Sequence, residues 1–176
     1  MRRNSPDIQR MYFLVMYNIS EIQKGIQAGH AQQEYANQFW YDDIFQDWAQ
    51  YDKTWMVMNG GTSNAKGINI YNDDFMIGSM ETHYETLRNN GINCAAFYEP
   101  DLNNALSAIA FLVSDKIFDK DKYPDPDMSE FKKLIKDFDM SMEEYQKQLN
   151  NKLRQMYNFT EQELFLREFC PKLRFA

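Results

Sequence analysis

Few residues in this chain have side chains suited to catalysis, since it holds only two histidines and two cysteines. His30 is the first candidate, because imidazole takes up and releases protons near neutral pH, as general acid–base catalysis requires. Gln23, Gln27, His30 and Glu34 recur at spacings of three and four, which puts them on one polar flank of a helix. On that flank Glu34, one turn on, can orient the imidazole and favour its charged form; a boundary histidine bonded to a neighbour is the plainer reading. His83 shares a stripe with Met80, Tyr84 and Leu87 and reads as a satisfied core histidine.

Two further segments offer polar groups where ligands commonly bind. Glu99, Asp101, Asn103 and Asn104 follow directly on an apolar strand, and strand ends in α/β sheets carry binding groups, although the same residues are ordinary turn formers. Gly60, Gly61, Thr62, Ser63 and Asn64 supply backbone donors and hydroxyls that suit a phosphate, with Lys24, Lys53 and Lys66 as local positive charge. No GK[ST] follows the glycines, so the Walker pattern and nucleotide hydrolysis are not expected. Neither GxSxG nor HExxH occurs, and Cys94 and Cys170 lie far apart without ligand spacing. Reduced thiols, no metal and no cofactor are the expectation.

The elements that must position these groups can be read from periodicity. Residues 11–17 are apolar on both faces and suit a covered strand. Ser20 with Gln23 forms a capping box that starts a helix over 21–37, and Ile22, Gly25, Ile26, Gly29 and Ala36 are expected on its sheet-facing side. A second helix over 40–51, a strand over 53–59, a helix over 79–90 and strands over 92–99 and 106–113 follow. Strands alternating with helices predict an α/β layered sheet with both faces covered.

Beyond residue 118 the composition changes. Residues 119–127 are charged and hold Pro124 and Pro126, as a linker does. Three amphipathic helices follow within 128–176, one carrying Phe131, Leu134, Ile135 and Phe138. Another, started by Ser141 and Glu144, carries Met142, Tyr145, Leu149, Leu153 and Met156, and Thr160 with Glu163 starts the third. This extension is expected to pack on the 1–118 domain, on a protein partner, or on a second copy as a homodimer.

With 19 Lys and Arg against 26 Asp and Glu, the net charge is −7 and the pI near 4.9. No global positive field attracts polyphosphates, so any nucleic-acid contact must be local. No run approaches the roughly 20 apolar residues of a membrane span, and the first apolar run is shorter than a signal h-region. A cytoplasmic protein is expected.

Three segments in order resemble the type 2 peptidyl-tRNA hydrolase superfamily: MYFLVMYNISEIQKGIQAGHAQQEY, KTWMVMN and GINCAAFYEPDLNNALSAIAFLV, together spanning about residues 11–115. Gln27, Ala28, Gly29, His30 and Ala31 match the family's helix motif of Gln, a small pair, His and Ala. With His30 aligned, the family's catalytic lysine falls opposite Gln23, next to Lys24. Glu99 or Asp101 stands at the family's aspartate, and Asn103 or Asn104 at its amide. The resemblance implies a four-stranded mixed sheet between helices and an enzyme acting on the ester between a peptide and the terminal ribose of tRNA. Divergent members occur in phage genomes, and the Asn-, Tyr- and Met-rich composition fits a phage-encoded member in the host cytoplasm. The rival reading is a catalytically silent module of the same fold that binds a protein partner or a small nucleotide-type ligand, a reading that the acidic pI favours.

Overall fold

The computed structural model describes residues 3–63, 78–136 and 140–176. They form an α/β fold around a four-stranded mixed sheet in the order β2-β1-β4-β3. The chain runs β1 (Gln9–Met16), α1 (Glu21–Phe39), α2 (Asp43–Asp47), β2 (Thr54–Gly61), α3 (Ser79–Asn89), β3 (Cys94–Glu99) and β4 (Ala105–Ser114). β1 and β2 are parallel, whereas β4 is antiparallel to both β1 and β3. The central strands are apolar over residues 11–16 of β1 and 108–113 of β4, where both faces are covered, and β4 buries one polar residue, Ser107.

One face carries Met11, Phe13, Val15, Ala95, Ala108 and Ala110 against Ala28, Ala31, Tyr35 and Ala36 of α1, with Phe45 and Trp48 closing the end. Alanine on both sides lets the helix lie close to the sheet. The other face, with Tyr12, Leu14, Ile109 and Phe111, is covered by α3, whose Met80 and Leu87 are fully buried.

The capping box at Ser20 and Gln23 starts α1 as expected, but the helix presents a different side to the sheet. Lys24, Gln27, Ala28, Ala31, Tyr35 and Ala36 are buried, while Ile22 is 79% and Ile26 51% exposed. Gly25 and Gly29 have open space at their Cβ positions, so neither is there for close packing. Small residues and polar residues with specific partners occupy the interface, and the isoleucines are left outside. The helix expected over 40–51 is shorter and in two parts. Asp42 caps it by accepting from Ile44 N and Phe45 N, which leaves Trp40 and Tyr41 outside, and after α2 the chain widens into a π-helical turn, Trp48–Asp52.

Two register shifts modify the sheet. Between β1 and β2, Val15 pairs with Asn59 and Met16 with Gly61, so Gly60 is the extra residue of a bulge. Between β3 and β4, Phe97 pairs with Ala108 and Tyr98 with Leu106, so Ser107 is the extra residue. Bulges of this kind re-aim a side chain that strict alternation would send to the opposite face.

The chain divides into two compact units, one of residues 1–115 with 171–176 and one of residues 116–170. The second holds α5 (Ser129–Lys136), α6 (Met142–Tyr157) and α7 (Glu161–Phe169), preceded by the short α4 (Asp115–Phe118). Its core joins Leu153, Phe159 and Leu164 to Tyr123, Leu149 and Tyr157. The 119–127 segment is part of this unit, since Tyr123 packs in its core. Of the stripe on α6, Leu149 and Leu153 enter the core whereas Met142 and Met156 stay exposed. Phe138 lies outside the described residues. No described helix is long and apolar enough to cross a membrane.

Candidate functional site

The first half of α1 lies over the end of β3. Gln27 and His30, three apart on the helix, meet Phe97 and Glu99, two apart on the strand and therefore on one face of it. The His30 ring stacks on Phe97 with centroids 4.4 Å apart and an interplanar angle of 21°. Stacking fixes the plane of the imidazole while the side chain remains exposed. Glu34 makes no described bond to His30; the ring of Phe97 orients the histidine instead.

Gln27 is the centre of a buried relay. Its Nε2 donates to Glu99 Oε2 at 2.5 Å, and its Oε1 accepts from the hydroxyl of Ser107 at 2.7 Å. Ser107 is fully buried and also lies 3.2 Å from the carbonyl of Phe97. The bulge in β4 is what turns this hydroxyl towards α1. Glu99 Oε1 in turn accepts from Asp101 N at 3.4 Å, which ties the relay to the Pro100–Leu102 turn. The sequence analysis does not single out Ser107; one hydroxyl among the apolar residues 105–113 is the only signal, and the bulge leaves no mark there.

Substituting Gln27 by Leu removes both ends of the relay. Ser107 can turn to the Phe97 carbonyl, but Glu99 loses a charge-assisted bond, so a loss of about 2 kcal/mol is expected by denaturant unfolding. Ser107→Ala removes one hydroxyl bond and should cost about 1 kcal/mol.

The remaining candidates lie on α1 and on the β3–β4 turn. Lys24 is buried on the same side of α1 as Gln27, and its Nζ bonds Glu21 at 2.8 Å. Gln23 is exposed, and its side-chain oxygen faces the backbone N–H and hydroxyl of Ser20 in the cap. Asp101 is exposed on the turn. Asn103 and Asn104 are also exposed, with φ of 54° and 55°. Asparagine tolerates this left-handed region better than most residues, so both shape the β3–β4 turn.

The glycine segment stands apart from these residues, at the end of β2. Gly61 N donates to Asn59 Oδ1, Thr62 N to Ser79 Oγ, and the Ser63 hydroxyl to Glu81 Oε1. Donors that would cradle a phosphate are engaged by α3 and its own neighbours, and a carboxylate sits at Ser63. Asn64 and Lys66 lie outside the described residues. A Cβ on Gly60 would come 2.2 Å from Met80 Sδ, and one on Gly61, at φ +85°, 1.9 Å from Ser79 Oγ. The glycines admit the start of α3. Gly61→Ala meets both the clash and the backbone strain, and a loss of about 2 kcal/mol is expected in thermal or denaturant unfolding.

Burial pushes the thiols of Cys94 and Cys170 up to about 11 and about 12, well away from reactive thiolates. Burial lowers the pKa of His83, which favours its neutral form. Among the described residues no group of His, Cys, Asp and Glu is arranged to hold a metal ion. Comparison with protein-family models, curated proteins and solved structures gives no match for this chain.

Proposed function

We propose that this chain is a peptidyl-tRNA hydrolase-like enzyme that cleaves the ester between a peptide and the terminal ribose of tRNA. The observation that carries this reading is that Gln27 and His30 on α1 meet Glu99 and Phe97, respectively, at the end of β3, some 70 residues further along the chain. The resemblance of α1 and the β3–β4 segment to the type 2 superfamily, and the mixed four-stranded sheet, agree with it.

In this reading the exposed imidazole of His30 takes a proton from water as its oxygen attacks the ester carbonyl. The tetrahedral centre collapses by breaking the bond to the ribose oxygen, which receives the proton back from His30. The peptide acid and the free tRNA hydroxyl result, and the acid releases its remaining proton to solvent. Asn103 and Asn104 stand at the turn as amide donors for the developing oxyanion, and Glu99 and Asp101 supply the negative field that steadies the imidazolium. Gln27 and Ser107 hold Glu99 in place.

One observation favours a second reading. Glu99 is bonded to Gln27 and not to His30, the arrangement expected of a catalytically silent module that binds a protein or a small nucleotide-type ligand. Incubating the purified chain with a peptidyl-tRNA mimic separates the two. Turnover that disappears in His30→Ala supports the enzyme, and an inert wild-type chain supports the binding module.

A further inference from the structure

The outer edge of β2 carries a partner of its own. Asn59 N donates to the carbonyl of Arg174 at 2.8 Å and Ala176 N donates to the carbonyl of Val57 at 3.1 Å. Together they set Phe175 opposite Met58 in an antiparallel bridge. Residues 171–176 thus belong to the sheet unit although residues 116–170 separate them from β4.

At residues 174–176 the described attachment to β2 is main-chain pairing. Phe175 is 71% exposed, and Arg174 and Ala176 are exposed beside it. Two backbone bonds with little buried side-chain area form a weak attachment. Strand addition to a sheet edge uses the same pairing, reading backbone donors and acceptors first and side chains second. An edge held this loosely is protected from edge-to-edge association while the segment is in place and becomes a template once it leaves.

We propose that the β2 edge at residues 57–59 is a strand-accepting site, occupied in the resting chain by residues 174–176 and open to an extended peptide of that segment's chemistry. Val57 O and Asn59 N flank one residue, so the partner must present a backbone acceptor and a backbone donor on either side of one residue. An aromatic side chain is tolerated at that middle position, because Phe175 points largely into solvent. Proline is excluded at the donor position. The resident segment competes from within the chain, so its release controls access.

The test is an NMR titration of the full ¹⁵N-labelled chain with the synthetic hexapeptide Pro-Lys-Leu-Arg-Phe-Ala, in wild type and in Ala176→Pro, which lacks the N–H bonded to Val57. Saturable shifts at Val57, Met58 and Asn59 are expected in the variant, with binding to wild type weaker by about fivefold or more. A peptide ending in proline should bind neither protein. Equal binding to both proteins, shifts confined to β3, or no saturable shift in a variant with native sheet resonances would overturn the proposal. Self-association of the variant without a peptide response would overturn it too, by making the occupant a second copy. Hydrogen exchange in wild type tests it independently of the variant: the Asn59 amide should exchange about 10²-fold faster than those of Phe13 and Leu14, and equal protection would mean that the segment does not detach.

Discussion

Replacing His30 by alanine is expected to lower kcat on a peptidyl-tRNA mimic by about 10²- to 10⁴-fold, the range that a positioned general base supplies. KM should change little, because the imidazole acts on the attacking water and the substrate's binding energy comes from elsewhere. The fold should survive, since the side chain is exposed and its described contact is one stacked ring, worth about 1 kcal/mol. Steady-state kinetics beside a thermal melt would read both quantities at once. His30→Gln sharpens the test, for it retains a polar, planar group over Phe97 but cannot take a proton. Equal loss in the two variants identifies proton transfer as the missing step, whereas recovery in glutamine would reduce His30 to a positioning residue. Unchanged turnover in both would remove His30 from the mechanism. Gln27→Leu offers a contrast, because its effect should pass through the position of Glu99 and so appear in stability as well as in rate.

Much of the frame was legible because the signals are local. The box at Ser20 and Gln23 fixes where α1 begins, and the four expected strands form with ends shifted by at most two residues. What stayed hidden depends on which residues meet across the sheet. Hydrophobicity alone assigns Ile22 and Ile26 to the interior, yet the interface is built from Ala28, Ala31 and Ala36 against Ala95, Ala108 and Ala110, where isoleucine would hold the helix away. Gln27 can be buried because Ser107 and Glu99 satisfy both ends of its amide. That in turn depends on a bulge in β4, a feature of strand register with no local signature. The glycine segment was open to misreading for a similar reason. Backbone donors in GGTS suit a phosphate or a neighbouring helix equally well, and only the position of Ser79 decides between them.

In the 116–170 unit the largest expected effect belongs to a residue that no motif marks. Arg167 is only 7% exposed, and its guanidinium reaches three parts of the preceding segment. It donates to the carbonyls of Lys116 and Tyr123, bonds Asp125 Oδ1 through Nη2 at 2.7 Å and Nε at 3.1 Å, and lies 5.4 Å from the centre of the Phe159 ring. Arg167→Ala strands two carbonyls and opens a gap beside the Leu153–Phe159–Leu164 core, for an expected loss of about 3 kcal/mol. Hydrogen exchange should report it as amides of α6 and α7 opening about 10²-fold more often. Lysine should rescue only in part, since one ammonium cannot reproduce the planar fork. Asp125→Asn should cost much less, about 1 kcal/mol at most, because that side chain is 56% exposed and water screens the pair. Its pH dependence distinguishes the two roles. Burial pushes the Asp125 carboxyl up, but hydrogen bonds from Lys120 and Arg167 outweigh it and hold the group below its ordinary value. A carboxyl depressed in the folded state stabilises fully above its unfolded pKa, near 4, and loses that contribution as pH falls through the folded value. The pair should therefore weaken only in acid, while the carbonyl bonds of Arg167 persist there. Stability that falls sharply between pH 7 and 5 on account of Asp125 would contradict this division.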